Sequence, residues 1–417
     1  MYLELDRNLT EKQKLLKAAA HEFAKGVIRP AALAVDQMTS PEEIMKKDSI
    51  WWEVRKKTRQ MGYHLAGLPK ALGGFELGPL ELHILLEELG WGSPGFALST
   101  LLDSLPAMLV LMYQAENKRL IDEIVMPFVK DLDAKITPCT ALTEPDHGSD
   151  VFFCFRKNFH DPKLAFNTRA VLQGDEWVIN GQKAGWISDG PVATHAMTSV
   201  TVCNTNGMEG GGFAIVPLDL PGVTRGKPTL LLGSHEFPQC ELFFSDVRIP
   251  RDYMLVGPDL FEKAIDKLLS MAGVTVATAF LGLARAAFEE ALEYSKHRIQ
   301  GGKPIADHQI IKSKLFDMFT KIEAARAFSR SAMKYCLTAI GPIPVEYGAA
   351  AKVFCTQVAY EVAHDAVQIH GAYGLTKESL AGKLFRDARC GLIGDGCNEV
   401  LGIRGAQYIL EKYNAVE

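Results

Sequence analysis

The sequence lacks the segments that would place a protein in a membrane or export it from the cell. We find no uncharged apolar run of about 18 residues, the length that a membrane-spanning helix requires. The first residues, MYLELDRNLTEKQKLL, have neither the basic and apolar regions of a signal peptide nor the Arg- and Ser-rich composition of a transit peptide. The sequence therefore predicts a cytoplasmic protein with no membrane segment.

Paired cysteines and a surplus of positive charge are also absent. None of the eight cysteines forms a Cys-x-x-Cys pair and their spacing fits no zinc pattern, so we expect reduced thiols and no metal site. Asp and Glu outnumber Lys and Arg by 50 to 45, which gives a net charge of −5. A general nucleic-acid binder needs excess positive charge to neutralise phosphates, so this class of protein is disfavoured.

The sequence does contain enough apolar material for several folded domains. Apolar residues make up 47% of the chain and charged residues 23%, which is typical of a folded globular protein. The length of 417 residues exceeds one ordinary hydrophobic core and predicts roughly two to four domains.

Residues 1–137 are predicted to form an N-terminal α-helical domain. Thr10 suits a helix N-cap, and Gln13, three residues later, completes a capping box. Apolar residues then recur at helical spacing. Pro30 predicts a break or a bend, and residues 80–89 form a second amphipathic segment.

Residues 138–250 have a different texture and are predicted to form a middle β-domain. Short alternating segments at 177–180 and 241–244 lie between turn signals, as strands do. The dipeptide Asn180-Gly181 predicts a hairpin turn, and residues 207–212 are expected to form a loop.

Residues 251–417 are predicted to form a C-terminal four-helix bundle domain. Helices are expected over 271–297, 308–340 and 345–370, and a last one begins near Asn398. The first is small and apolar on most faces, which is typical of helices inside a bundle or at an oligomer interface. The predicted fold class is therefore α+β, with an N-terminal helical domain, a middle β-domain and a C-terminal bundle.

The segment Leu142–Asp150 has the sequence LTEPDHGSD. Glycine and small hydroxyl residues let a backbone approach a flat ligand closely, although a plain polar turn is the alternative for such a segment taken alone. The segment resembles the TEPxxGSD loop of the acyl-CoA dehydrogenase family. The resemblance implies an FAD enzyme in which Leu142 and Thr143 contact the flavin ring and Ser149 meets the pantetheine arm of CoA.

The segment Asn180–Gly190, NGQKAGWISDG, is similar to the NGxKxWITNG strand of the same family. The resemblance implies that Trp186 lies against the flavin and that Ser188 bonds near its N5 atom. This chain has one more residue between Lys183 and Trp186 than the family pattern, which leaves the register open by one residue. An ordinary core position is the alternative for Trp186.

Two further motifs resemble family elements that contact FAD in a neighbouring subunit. Arg298 begins a segment similar to RxxxGxxxxxHQ, in which the Arg reaches the FAD pyrophosphate; its planar fork suits a diphosphate. Gln368 and Gly371 belong to QIHGAYG, which resembles QIxGGxG, with Ala372 in place of the second Gly. The resemblance therefore implies an oligomer, usually a homotetramer in this family.

The last motif, LFRDAR followed by IGDGCNE, resembles the family segment RDA…IYEGT. The resemblance places the catalytic Glu of the family at Asp395 and an FAD contact at Cys397. It implies that Asp395 removes the α-proton of a CoA thioester while the β-hydrogen leaves as hydride to flavin N5. A carboxylate in a dry pocket has a raised pKa and becomes a competent base, as this chemistry requires.

Other interpretations of this region stay open. Asp395 would also suit the N-cap of the final helix, and Glu399 is a rival base one helical turn further on. Aspartate reaches about 1.5 Å less far than glutamate, and a misplacement of that order costs roughly a hundredfold in rate. Residues 270–273 hold neither an acid nor the Arg that relatives carry there beside CoA and the base.

Asp103 carries the alternative mechanism. It lies on an otherwise apolar segment that aligns with the helix lining the acyl pocket, and a buried carboxylate is costly unless it is paired. The segment resembles relatives that dehydrogenate cyclic enoyl-CoA thioesters with an Asp of this helix as base. Asp103 is therefore a second candidate for a catalytic and substrate-binding residue. Phe96 stands where glutaryl-type relatives place an Arg, which disfavours a glutaryl-like substrate.

The expected function is the FAD-dependent dehydrogenation of an acyl-CoA to the enoyl-CoA, with electrons passing to an electron-transfer flavoprotein. The alternatives are 1,4-dehydrogenation of a cyclic enoyl-CoA with Asp103 as base, a reductase working in the opposite direction, an oxidase, and a non-catalytic flavin-binding relative. The acidic net charge disfavours a DNA-associated relative.

Overall fold

The computed structural model describes residue 5 and residues 8–152, 161–202 and 207–413. A helical region comes first, a β-sheet follows, and a second helical region ends the chain. This order confirms the predicted α+β fold class.

The first helical region begins with the predicted capping box. Thr10 Oγ1 accepts a hydrogen bond from the Gln13 backbone N at 3.3 Å, and the Gln13 side chain accepts one from the Thr10 N at 2.9 Å. Residues 11–130 form nine helices: α1 Glu11–Phe23, α2 Arg29–Asp36, α3 Pro41–Met45, α4 Ile50–Gln60, α5 Pro79–Gly92, α6 Pro94–Leu102, α7 Leu105–Tyr113, α8 Lys118–Leu120 and α9 Met126–Lys130.

Of the break or bend predicted at Pro30, the break does not occur. A π-helical turn, Ala24–Ile28, connects α1 to α2, and the chain stays helical through Pro30. Pro30 lies in the first turn of α2, where a missing backbone N–H costs little. The wider π turn before it is a usual way to accommodate such an irregularity.

The strands between residues 138 and 256 belong to one sheet. Its order is β6-β7-β3-β2-β4-β5-β8, with β1 beside β4. Neighbours are antiparallel except β1 with β4 and β2 with β4, which are parallel. The strands are β1 Pro138–Ala141, β2 Arg169–Gln173, β3 Glu176–Ser188, β4 His195–Thr201, β5 Gly211–Pro217, β6 Val223–Arg225, β7 Gln239–Pro250 and β8 Met254–Val256.

Two turn predictions in this region are wrong. The hairpin turn lies at residues 174–175, between the paired residues Gln173 and Glu176, whereas Asn180-Gly181 lies inside β3. Gly181 is needed there for packing, because a Cβ would come within 2.5 Å of the Thr168 Cα. The expected loop at 207–212 is a short 3-10 turn that passes directly into β5.

The C-terminal region is helical, as predicted, but residues 258–413 contain five helices rather than four. They are α10 Pro258–His297, α11 Gln309–Thr338, α12 Val345–His370, α13 Leu380–Gly391 and α14 Asn398–Tyr413, with a hairpin of β9 Ile299–Gln300 and β10 Lys303–Pro304 after α10. Helix α10 starts at Pro258 rather than near Met271, because its first turns pack on the sheet instead of inside the bundle.

Helix α10 connects the two hydrophobic cores. One core is shared by both helical regions and includes Leu89 of α5 and Ala284 of α10. The other lies against the sheet and includes Ile179 of β3 and Phe261 of α10. The helical regions and the sheet therefore pack along one helix.

Two segments, Pro94–Tyr113 and Pro258–His297, are long and apolar enough to cross a membrane by length and composition alone. The most apolar 18-residue stretch is 67% buried inside the protein in the first segment and 78% buried in the second. Burial in the two cores accounts for their apolar composition.

Candidate active site

The loop after β1 is fastened to the sheet through Glu144. Its buried carboxylate accepts hydrogen bonds from the backbone N of Asn167 at 2.6 Å and of Thr168 at 3.0 Å, and it pairs with Lys183 of β3 at 2.8 Å. Burial acts to raise the pKa of Glu144, but the Lys183 charge together with the hydrogen bonds from Lys183 and Thr168 outweighs burial and lowers that pKa. Burial lowers the pKa of Lys183 to about 8 against the opposing effect of Glu144. Both groups are charged at neutral pH, so the ion pair holds the loop in place.

Thr143 lies at the centre of this loop with an unsatisfied hydroxyl. Its carbonyl accepts a hydrogen bond from the Ala184 N at 2.9 Å, whereas its buried Oγ1 has no hydrogen-bond partner among the described residues. Buried hydroxyls nearly always have a partner in a native protein. The Thr143 hydroxyl is therefore suited to a hydrogen bond with a ligand.

Trp186 projects from the sheet two residues beyond Ala184. Its side chain is 63% exposed, although Ala184 and Ile187 beside it are buried. In the pairing of β3 with β7, Lys183 lies opposite Leu242 and Ile187 lies opposite Cys240. The chain therefore advances by four residues along β3 where it advances by only two along β7. This β-bulge accommodates the extra residue noted in the sequence and turns the indole outwards.

Ser188 ends the same strand with its hydroxyl partly engaged. The Gln239 side-chain amide donates a hydrogen bond to Ser188 Oγ at 2.9 Å. Thr143 therefore lies beside β3 at Ala184, two residues before Trp186 and four before Ser188 on the same strand.

Asp395 lies in the turn between α13 and α14. Its φ of 54° is in the left-handed region, which Asp tolerates better than most residues. The turn that carries this carboxyl group lines a small pocket, whose other lining residues are Leu269, Gly273, Val345, Ala349, Leu401 and Arg404. Asp395 is exposed to solvent, although the surrounding protein partly desolvates its carboxyl group. This desolvation raises the pKa of Asp395, and the Lys352 charge acts in the opposite direction.

Lys352 of α12 holds the turn that carries Asp395. It is fully buried, and its Nζ donates hydrogen bonds to the Gly396 carbonyl at 2.7 Å and to Asn398 Oδ1 at 2.8 Å. Burial lowers the pKa of Lys352 to about 8. The sequence analysis missed this residue, although a lysine within the apolar stretch AAAKVFC is a recognisable signal because a buried cation needs partners.

The other side of the turn is attached to the loop after β1. The Cys397 backbone N donates a hydrogen bond to Ser149 Oγ at 3.0 Å. The structure thus brings together the two motifs that carry Ser149 and Asp395. The backbone N of Leu401 bonds to the Cys397 carbonyl at the start of α14, so the N-cap position belongs to Cys397 and not to Asp395.

Asp103 lies elsewhere, in a buried ion-pair cluster. Its side chain is only 3% exposed, and both carboxylate oxygens lie 2.8 Å from Arg55 Nη2. Arg59 Nη2 lies 2.7 Å from Asp103 Oδ2. Arg55 and Arg59 are one turn apart on the same face of α4. Asp103 lines a separate small pocket, together with Arg55, Thr58, Arg59, His64 and Thr100.

The predicted intersubunit residues lie together at one end of the bundle. Tyr294, in the last turn of α10, stacks on His370 at the end of α12 with ring centroids 4.1 Å apart. Arg298 follows α10, and Gln368 and Gly371 lie at the end of α12; all three are exposed. They are therefore accessible to a ligand or to another chain.

Residues 270–273 lack the Arg that relatives carry, and at Gly273 the structure has no space for any side chain. A Cβ at that position would come within 2.4 Å of the Gly348 carbonyl, because α10 and α12 touch there. Instead, Arg404 of α14 lines the same pocket as Asp395 and is paired with Asp266. Sequence reasoning did not find Arg404, because its approach to α10 depends on how α14 packs.

Three family models match consecutive parts of the chain. They are described as the N-terminal, middle and C-terminal domains of acyl-CoA dehydrogenase, and they match residues 10–125, 139–247 and 263–410. The chain belongs to the acyl-CoA dehydrogenase family. Members of this family are FAD-dependent oxidoreductases, and both the unsatisfied Thr143 hydroxyl and the exposed Trp186 fit that cofactor.

Individual acyl-CoA dehydrogenases match over nearly their full length. The chain is 31% identical to cyclohex-1-ene-1-carbonyl-CoA dehydrogenase of Geobacter metallireducens, over 94% of this chain and 97% of the relative. It is 30% identical to the mitochondrial short-chain specific acyl-CoA dehydrogenase of Homo sapiens, over 98% and 92%. The structure of butyryl-CoA dehydrogenase from Megasphaera elsdenii matches with a TM-score of 0.83 and 28% identity, covering 97% of this chain and 100% of that one.

Proposed function

We propose that this acyl-CoA dehydrogenase converts an acyl-CoA thioester to the α,β-enoyl-CoA, with Asp395 as the base that removes the α-proton. The observation that carries the proposal is the position of Asp395. It lines a pocket, its pKa is raised by the surrounding protein, and its turn is bonded directly to the loop of Leu142–Asp150.

The chain's own residues provide the α-proton acceptor and a rigid frame for it. A raised pKa makes a carboxylate a stronger base, provided that the pH is high enough to ionise it. Lys352 and Ser149 hold the turn from two sides, which limits the freedom of the Asp395 side chain. Holding a catalytic group in the correct position contributes a large part of the rate acceleration in enzymes.

When bound, FAD supplies the N5 atom that accepts the β-hydrogen as hydride. The residues that would hold it are Leu142, Thr143, Trp186, Ser188 and Cys397 in one chain, with Arg298, Gln368 and Gly371 from a neighbouring chain. The last three are exposed and therefore accessible to a second chain, and the proposal includes a homotetramer of the usual family kind. An electron-transfer flavoprotein as the acceptor and a cytoplasmic location complete the proposal.

A cyclic enoyl-CoA is the second candidate substrate, with 1,4-dehydrogenation as the reaction. The name of the Geobacter relative supports this substrate class. The ion pairs of Asp103 weigh against Asp103 as its base, because both oxygens already accept hydrogen bonds from Arg55 and Arg59. A carboxylate engaged in this way has little free capacity to take a proton from substrate.

Anaerobic mixing with CoA thioesters tests the proposal. The flavin absorbance of wild type, Asp395→Asn and Asp103→Asn is followed with straight, branched, aryl-substituted and cyclic compounds. We expect at least one compound to bleach wild type and Asp103→Asn but not Asp395→Asn. If a compound bleaches the flavin of Asp395→Asn but not that of folded Asp103→Asn, the 1,4-dehydrogenation is favoured instead. A flavin that no compound bleaches would favour a non-catalytic relative.

A further inference from the structure

A buried cluster of charged side chains joins the end of β3 to helices α4 and α6. Asp189 Oδ2 accepts hydrogen bonds from Arg55 Nη1 at 2.8 Å and from Ser99 Oγ at 2.6 Å. The same Arg55 holds both oxygens of Asp103 through Nη2. All four side chains are buried. Asp189 occupies the position of the second Asn in the motif NGxKxWITNG, which the segment Asn180–Gly190 resembles.

Asp103 and Asp189 both bind the Arg55 guanidinium, but they differ in their other hydrogen-bond partners. Asp103 also binds Arg59, whereas the Oδ1 atom of Asp189 is buried without a hydrogen-bond partner among the described residues. Burial raises the pKa of Asp189 to about 6; Arg55 opposes this rise and Asp103 adds to it. Burial acts to lower the pKa of Arg55, but the two carboxylates outweigh it and raise that pKa. Arg55 therefore stays charged while Asp189 changes its charge near neutral pH.

Other elements bring further titratable groups to the cluster. Cys139 of β1 has a pKa raised well above its usual value by burial first, and by Cys240 and Asp189 as well. Arg225 of β6 donates to the carbonyls of Gly190 and Ala193, just after Asp189. Because burial raises the thiol pKa of both Cys139 and Cys240, these thiols stay neutral where Asp189, with its pKa of about 6, changes its charge.

Asp189 also closes the strand that carries Trp186 and Ser188. Its backbone has a φ of 59°, and its N donates a hydrogen bond to the Pro238 carbonyl at 2.7 Å. Ser188 immediately precedes it, and Trp186 lies two residues further back. Any shift of Asp189 relative to α4 and α6 therefore moves the end of β3.

We propose that Asp189 is a positioning residue whose carboxylate anchors the end of β3 to Arg55 and Ser99 and so sets how Ser188 and Trp186 meet the flavin. This inference rests on the FAD site of the proposed function. Ionised Asp189 is held by the Arg55 charge. Protonation weakens this attachment, so the surroundings of the flavin change with pH.

The test is a pH titration of the visible flavin spectrum of the FAD-loaded protein. We expect wild type to show a spectral transition near the Asp189 pKa of about 6, and Asp189→Asn to lack it. Asp133→Asn is the matched control, since Asp133 pairs with Lys56 of α4 at 2.8 Å but is 46% exposed; it should titrate like wild type. A transition that survives unchanged in Asp189→Asn would overturn the inference.

A second variant keeps the inference testable if Asp189→Asn folds poorly. Ser99→Ala removes a hydrogen bond that lowers the pKa of Asp189, so its transition should move to higher pH. An unmoved transition would also overturn the inference. The titration needs bound FAD but no substrate. A protein that titrates as expected, yet is bleached by no acyl-CoA, would refute the proposed function and leave the positioning role of Asp189 standing.

Discussion

Replacing Lys352 by Met should move the pH dependence of catalysis. Lys352 contributes the positive charge that lowers the pKa of Asp395, against the desolvation by surrounding protein that raises it. Removing this charge therefore raises the Asp395 pKa further. Because the base must be ionised to work, the acidic limb of the rate profile should move to higher pH.

The size of the shift follows from the geometry. An opposite charge within about 4–6 Å changes a carboxyl pKa by about 1–3 units. Lys352 bonds to Gly396 and Asn398 rather than to the Asp395 carboxylate, so we expect its effect on the Asp395 pKa to lie at the low end of this range. On the acidic limb, loss of this effect lowers the ionised fraction of the base, and hence the rate, about tenfold.

The assay is the rate of flavin bleaching at saturating acyl-CoA, measured across pH for three variants. Lys352→Gln removes the charge but keeps an amide donor, so it should show the same shift with a smaller loss of stability. Lys314→Met is the control, since Lys314 pairs with Asp365, about 20 Å along α12 from Lys352. A profile of Lys352→Met that coincides with wild type would refute the electrostatic link between Lys352 and Asp395.

Three further predictions concern the site. Asp395→Glu should fold normally but lower kcat roughly tenfold to a hundredfold, because the fixed turn positions the shorter side chain. If single-turnover measurements instead show a faster enzyme, the length of the aspartate side chain limits the native reaction. Lys183→Met should destabilise the protein by about 3 kcal/mol in denaturant unfolding, because it leaves Glu144 buried without its cation; an unchanged midpoint would contradict the anchoring role. Trp186→Ala should weaken FAD binding roughly tenfold in equilibrium titrations, by loss of ring stacking. It should change stability by less than about 0.5 kcal/mol, because the side chain is 63% exposed; unchanged FAD affinity would place the flavin elsewhere.

Features determined by neighbouring residues were predictable from the sequence. The capping box of Thr10 and Gln13 needs only residues three apart, and it formed as expected. Helix α12 has the predicted bounds, Val345–His370, because breaking signals flank a continuous helical pattern. Asn180-Gly181 predicted a hairpin turn, but the pair lies at an irregularity of β3 next to Thr168. Such an irregularity needs the same conformational freedom of glycine as a turn does, so the sequence signal is the same.

Features determined by distant residues were not predictable in this way. Asp103 had the apolar surroundings of a buried base, but its partners Arg55 and Arg59 lie more than 40 positions away on α4. Lys352 reaches the Asp395 turn 44 positions along the chain. Motif resemblance named Asp395, yet only the packing of α12 against α14 shows what holds it.

The most direct test of Asp395 as the α-proton base is hydrogen exchange at the α-carbon of a bound acyl-CoA in heavy water, read by mass spectrometry. We predict that wild type and Asp103→Asn incorporate deuterium at the α-position and that folded, FAD-loaded Asp395→Asn does not. Exchange by Asp395→Asn at the wild-type rate would contradict the assignment and show that another group removes the proton.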